Sequence, residues 1–372
     1  MQPLLKKRKL VEDATCVTLA CSLLEDLSSA DAVSKQWRAA LSDEALWRRH
    51  VIARAQRRSR DDDDVEPLVR WRGSWRATAL AASDDCCEDR ESETRTQDDA
   101  AVIVSDACQR RLARAGRPAR LAAVFAPPPD TWAVAALAKR RPNLRLRCVA
   151  QGEPSDVTML ARDYAAYVRQ NKDAEPLMVI DDRVPQDGAC DAYPALAHIV
   201  KGDHLAELAR RDDVEPAAAA DLQRERKYVL WGPAGAGSRW HVDPYGTDAW
   251  NALLSGRKRW AFYPPGATPP GVDIVPRLVS ASRTLWTTAP AAADWFARDH
   301  PGAQIVTQEA GDVVYIPAGW WHATVCEASC VAVTQNVIFA HNARAAHALM
   351  ARSKPSLARE LAALVRRRRA DD

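Results

Sequence analysis

The chain has 372 residues, longer than one typical domain, and 47% of them are hydrophobic, enough for a sizeable core plus a smaller unit. Its 52 Lys and Arg nearly balance 49 Asp and Glu, and the resulting net charge of +3 argues against a protein that binds nucleic acid over its whole surface. Nine cysteines at irregular spacings, no apolar run long enough to span a membrane and a charged N-terminus argue against a disulfide scaffold, a membrane protein and a signal peptide, and point to a soluble intracellular chain.

Residues 1–10 form a basic tail carrying Lys6-Lys7-Arg8-Lys9, which reads either as a nuclear import signal or as a solvated cluster; the expected location is the nucleus, with or without a cytoplasmic pool. Over residues 11–80 the pattern is helical: Leu19, Leu23, Leu24 and Leu27 recur at helix spacing, Val33, Trp37, Ala40 and Leu41 continue it, and Trp47 follows. The order from Leu27 through Val33-Ser34 and Trp37 to Ala45-Leu46-Trp47 resembles the second half of an F-box without the Leu-Pro opening. That resemblance implies docking on a Skp-type ubiquitin-ligase adaptor, and the alternative is an ordinary helical cap. Residues 81–100, rich in Asp, Glu, Ser and Thr, lack the apolar area to offset ordering entropy and read as an acidic linker.

Residues 101–341 make the large domain. Its first half is expected to hold a helix over Asp130–Arg140, a strand over Leu144–Val149, a helix over Thr158–Gln170 and a strand over Pro176–Asp181, followed by helical patches near Leu196–Leu208. From residue 228 short strands follow one another: Tyr228–Gly232, Ser238–Asp243, Ala249–Ser255 and Lys258–Tyr263, then Ile305–Gln308, Asp312–Pro317, His322–Glu327 and Cys330–Phe339. Strands at this density, separated by Gly- and Pro-bearing turns, predict a mainly β fold with helices, a double-sheet barrel of jelly-roll type that can hold a small ligand in its mouth. Residues 342–372 close the chain with helices broken at Pro355 and a basic end, Arg366–Arg369.

His241 and Asp243 stand two residues apart in strand-prone surroundings, so on a strand both face the same way. The pair is either a hydrogen-bonded surface pair or two members of a 2-His-1-carboxylate triad, the arrangement that binds Fe(II) with open positions. His322, shortly after the turn Pro317-Ala318-Gly319, sits where a barrel rim can aim it inward, as either the third ligand or a satisfied core or rim histidine.

The stretches His241–Trp260, Ile316–His322 and Ala332–Asn336, with Arg117-Pro118, Asp163-Tyr164, Tyr167 and Ser353–Arg359, make residues 110–365 similar to JmjC-domain oxygenases, above all the branch of bifunctional arginine demethylases and lysyl hydroxylases. The resemblance implies a cupin-like double-stranded β-helix that binds Fe(II) through His241, Asp243 and His322 and takes 2-oxoglutarate as co-substrate. It gives Ser238, Asn251 and Thr334 the role of donors to the co-substrate, with Ser238 in place of the usual threonine; Trp250 and Asn336 read as supporting or core residues. Met178 stands where relatives often carry tyrosine. Lys258 is the candidate cation for the far carboxylate: strand alternation turns it opposite to Arg257 and Arg259, and an inward lysine calls for an anionic partner, the alternative being a solvated strand face. The implied reaction is hydroxylation of a protein side chain, or demethylation of arginine or lysine, on a histone or splicing-factor substrate. The rival reading is an F-box adaptor that uses the barrel to read substrates. RNA binding through the basic ends is a third. The C-terminal helices either pair two subunits, as they often do in the resembled family, or pack on the chain's own barrel.

Overall fold

A computed structural model describes residues 43–61, 67–80, 106–125, 133–149, 156–182, 202–223, 227–269 and 302–371, together with residues 272 and 296. The strands among them form two sheets. The larger runs, in spatial order, β1 (Leu68–Val69), β4 (Asp156–Leu160), β3 (Arg145–Val149), β5 (Met178–Asp181), β6 (Lys227–Gly232), β13 (Cys330–Val337), β8 (Asp248–Ser255), β11 (Val313–Ile316) and β2 (Ala119–Leu121). The smaller runs β10 (Gln304–Glu309), β9 (Arg257–Tyr263), β12 (Trp321–Cys326) and β7 (Gly237–His241). From β6 onward the chain crosses repeatedly between the two, with β6, β8, β11 and β13 in one and β7, β9, β10 and β12 in the other. This is the expected jelly-roll barrel, a double-stranded β-helix.

Side-chain alternation defines its inside and outside. Ala249, Val314 and Ile316 of the larger sheet meet Trp260 and Phe262 of the smaller across the interior. The outer face of the larger sheet is covered by helices: α1 (Glu44–Asp61), α2 (Trp75–Leu80), α4 (Val134–Arg140) and α5 (Ala161–Gln170) share one core with it, while α3 (Asp106–Ala115) contributes Leu112 to another against Trp250 and Tyr315. Trp250 is therefore a core residue. No helix among the described residues is long and apolar enough to cross a membrane.

Several expectations change. Thr158 to Leu160 belong to a strand, not to the following helix, because β4 is paired on both sides, antiparallel to β3 and parallel to β1; helical periodicity there loses to pairing. β7 ends at His241, and Asp243 lies beyond it, extended, before a 3-10 turn (Pro244–Gly246) in which Tyr245 takes a positive φ of 57°. Pro244 lacks the N–H needed to continue a ladder. The F-box-like Leu19–Leu41, the linker at 81–100 and the Lys6–Lys9 cluster lie outside the described residues. The described part of the expected 11–80 module is built into the barrel's own sheet: β1 pairs with β4, and Trp47, Val51, Ile52, Trp71 and Trp75 are buried with Tyr164 and Tyr167. Trp71, Trp75 and Tyr167 meet edge to face, with centroids 5.0–5.9 Å apart.

The C-terminal helices α8 (Ala343–Met350) and α9 (Pro355–Asp371) break at Pro355 as expected. The apolar face of α9, Leu357, Leu361 and Leu364, packs on α6 (His204–Ala209) and α7 (Pro216–Gln223) of the same chain. Of the two expectations for these helices, this packing is the one within the chain.

Trp47→Ala should cost about 3–5 kcal/mol in urea unfolding of the whole barrel. A separate N-terminal unit would leave the main transition where it is.

Candidate functional site

The site is organised by the pairing of β7 with β12. His241 stands directly opposite His322, and Ser238 opposite Thr324, so Arg239 and Trp240 together face the single residue Ala323. This is a β-bulge. Without it, Ser238 and His241, three residues apart, would point to opposite faces. With it, both turn into the barrel, where the Ser238 and Thr324 hydroxyls bond at 2.9 Å. Gly237 permits the close approach, since a Cβ there would lie 1.9 Å from the Thr324 carbonyl oxygen.

The two imidazoles lie with ring centroids 4.1 Å apart. Nδ1–H of His241 donates to the Arg239 carbonyl at 2.8 Å, and Nδ1–H of His322 to the Trp320 carbonyl at 3.2 Å. Each backbone bond fixes a tautomer and leaves Nε2 with its lone pair free for a metal. Asp243 brings a carboxylate oxygen to 4.0 Å from His322 Nε2. One ligand atom from each of His241, Asp243 and His322 falls within 4.8 Å of the others. The structure therefore brings all three expected ligands together, although Asp243 arrives from the turn and not from the strand.

Electrostatics fit the same use. Burial, and then the neighbouring His241, hold the His322 imidazole well below its ordinary pKa, so it is neutral at physiological pH. Burial pushes Asp243 above the usual carboxylate range, with His241 and Asn336 opposing and Asp248 adding to the shift. Asp243 Oδ2 is buried without a hydrogen-bond partner. A buried carboxylate oxygen left unpaired costs free energy that a cation would return, and two imidazoles with one carboxylate are the donor set of a non-haem Fe(II) site. Asp248 supports His322 indirectly, accepting from the Tyr315 hydroxyl and the Ala318 amide, each at 2.8 Å, and so holding the turn that precedes it.

Deeper in the barrel, Lys258 is 1% exposed and faces inward with Trp260 and Phe262 of the same strand. Phe262 pairs with His322 and Lys258 with Cys326, so Lys258 sits four residues, about 13 Å, below the imidazoles. Its ammonium lies 5.6 Å from the Trp260 ring centroid and has no carboxylate partner among the described residues. Asn251 pairs with Val314 on one side and Thr334 on the other, and its Oδ1 is buried and unpartnered. Thr334 Oγ1 donates to the Trp250 carbonyl at 2.9 Å, and Asn336 Nδ2 to Thr247 Oγ1 at 2.9 Å. Leu253, Cys326, Cys330 and Ala332 form an apolar floor. Ser238, Asn251, Lys258 and Thr334 thus line one interior. Thr324, the partner of Ser238, was missed, although its position two residues after His322 on a strand was signal enough to place it on the same face.

Residues 79–343 match the cupin-like domain family over most of the chain. The chain belongs to that family. Within this cupin-like group it is 31% identical over 225 residues to the lysine-specific demethylase JMJ21 of Arabidopsis thaliana, a match covering 58% of this chain and 22% of that protein. It is 27% identical over 243 residues to the bifunctional arginine demethylase and lysyl-hydroxylase psr-1 of Caenorhabditis elegans, covering 62% and 57%. It is 33% identical over 102 residues to the human 2-oxoglutarate and iron-dependent oxygenase JMJD4, covering 26% and 22%. The chain therefore spans less than two thirds of the length of each. These relatives bear out the JmjC resemblance of the cupin-like barrel, and nothing among them bears on the F-box likeness.

Asp243→Ala should abolish divalent-metal binding in a calorimetric titration while raising the metal-free chain's stability by about 1–3 kcal/mol, because it removes a buried oxygen that has no partner. Unchanged metal affinity in this variant would exclude Asp243 as a ligand.

Proposed function

We propose that the chain is an Fe(II)- and 2-oxoglutarate-dependent oxygenase that hydroxylates protein side chains, with lysyl hydroxylation and N-demethylation of arginine or lysine as its two forms. One observation carries the reading: the barrel holds His241, Asp243 and His322 within ligand reach of one another at one level, and at the level below a buried Lys258 that has no carboxylate partner among the described residues. A metal site alone would leave Lys258 without a purpose. A metal plus a dicarboxylate uses both.

The residues present suit those two groups. His241 and His322 would hold the metal through Nε2, and Asp243 would supply the balancing negative charge. Lys258 would hold the far carboxylate of 2-oxoglutarate, assisted by Asn251, Thr334 and the Ser238–Thr324 hydroxyl pair. Once bound, Fe(II) with 2-oxoglutarate supplies the oxidising chemistry for an unactivated C–H bond. The chain's own contribution is positional: Trp260, Phe262, Val314 and Ile316 keep water from the interior, and the backbone-fixed tautomers prevent either imidazole from turning its protonated nitrogen toward the site.

The names of the relatives favour a lysine- or arginine-bearing protein substrate. Oxygen added to a carbon gives a stable alcohol, whereas oxygen added to an N-methyl group gives an unstable carbinolamine that releases formaldehyde, so one site serves both outcomes. In the same reading Lys6-Lys7-Arg8-Lys9 directs the chain to the nucleus, where histones and splicing factors are the candidate substrates.

With Fe(II), 2-oxoglutarate and histone or splicing-factor peptides, the protein is expected to release succinate and to yield peptides that have gained oxygen or lost a methyl group by mass spectrometry. Succinate no higher than in a His241→Ala control would refute the reading. Lys258→Met should raise the KM for 2-oxoglutarate about tenfold to a hundredfold, the worth of a hydrogen bond to a charged group, while metal affinity stays near wild type.

A further inference from the structure

β7 is the edge strand of the smaller sheet, paired only with β12 among the described residues, and its bulge falls immediately before His241. A bulge takes its residues out of the regular ladder, so neighbouring strands no longer dictate the orientation of those peptide groups. Yet the Arg239 carbonyl, inside the bulge, is what receives Nδ1–H of His241 and sets its ring. Something else must hold that carbonyl still.

The Arg239 side chain is itself anchored across the barrel. Its Nη2 donates to both carboxylate oxygens of Glu175, each at 2.9 Å, and both side chains are mostly buried. Glu175 lies in the connection between α5 and β5, on the opposite sheet system, and is itself fixed from the N-terminal side. Arg48 of α1 donates Nη1 to the Glu175 carbonyl oxygen and lies 3.3 Å from the Asp173 carboxylate. Asp173 in turn accepts from the Tyr167 hydroxyl at 2.7 Å and from Trp75 Nε1 at 3.0 Å. The contacts run without a gap from α1 and α2 through Asp173 and Glu175 to Arg239, and from the Arg239 carbonyl to His241.

We propose that Arg239 and Glu175 are positioning residues for the metal ligand His241, and that Arg48 makes the N-terminal helical segment a structural support of the metal centre. The inference rests on the metal-binding reading of His241, Asp243 and His322. None of the three residues touches the ligand atoms; they act by fixing a carbonyl. Removing the partner that orients a metal-bound histidine typically lowers metal affinity by a factor of about 10–100. Because the bulge also sets the face on which Ser238 lies, the same loss should disturb the Ser238–Thr324 pair.

The test uses the full chain with Mn(II) as the probe, following the free-ion electron paramagnetic resonance signal. Glu175→Gln and Arg239→Gln are each expected to raise the Mn(II) dissociation constant about 10- to 100-fold, and Arg48→Gln to raise it by less in the same direction. Arg70→Gln removes an ion pair of similar burial, with Asp163, that has no link to the bulge. It should lower the melting temperature and leave Mn(II) affinity unchanged, a separation that a merely structural role for Glu175 would not produce. Should Glu175→Gln fail to fold, Glu175→Asp, which keeps the charge and shortens the side chain, is expected to bind Mn(II) more weakly than wild type. Wild-type affinity in folded Glu175→Gln or Glu175→Asp would overturn this inference alone. Failure of the wild-type chain to bind Mn(II) would overturn both the metal-site reading and this one.

Discussion

The arrangement of the site depends on one irregularity in one strand pair. Two residues of β7 opposite one of β12 shift the parity of everything before the bulge by one position. Ser238 is thereby turned inward with His241 instead of away from it, and the Arg239 carbonyl is released to orient an imidazole. A regular ladder would keep more backbone hydrogen bonds and lose this geometry. The strand also ends early, at a proline, so that Asp243 approaches from a turn with its carboxylate free to face both histidines.

Around that irregularity the barrel holds several polar groups that it does not itself satisfy. Asp243 Oδ2 and Asn251 Oδ1 are buried without partners, and Lys258 is enclosed beside the Trp260 ring and the Cys326 and Cys330 thiols, with no carboxylate partner among the described residues. Each is unfavourable for folding taken alone, since desolvation is not offset by a bond. Their grouping on one interior, with the Asp243 carboxylate at the level of the imidazoles and Asn251 and Lys258 deeper, distinguishes them from scattered packing defects. The remaining stability has to come from elsewhere, and the doubly buried β8 and β12 and the aromatic cover of the larger sheet are where it resides.

Much of this was legible in the sequence, and the part that was not has a physical explanation. Spacing and a turn singled out His241, Asp243, His322 and Lys258 as candidates, and the likeness to JmjC oxygenases made the first three a ligand set and gave Lys258 its anionic partner. The eight barrel strands were readable for the same reason. Ser238 could be assigned only by likeness, because simple alternation from His241 gives the wrong face and a bulge leaves no mark in residue types. Arg239 and Glu175 went unnoticed because they are 64 positions apart and each reads as an ordinary surface charge. β1 has two residues and β4 borders a helix, so neither offers enough periodicity to outweigh the helical pattern nearby. The C-terminal helices were correctly placed, but an amphipathic face does not say whose surface covers it.

The N-terminal tryptophans bear on where the folded unit begins. The cupin-like match starts at residue 79, after Trp47, Trp71 and Trp75. A chain trimmed to that boundary would uncover the apolar faces of Leu146, Val157, Met159, Tyr164 and Tyr167 in one contiguous area and leave β4 as an unprotected sheet edge. An exposed patch beside an open strand edge is a template for self-association. Residues 44–61 and 67–80 therefore cover an edge and an apolar face that the family match alone would leave open, which sets the minimal folded unit earlier in the chain than family likeness does.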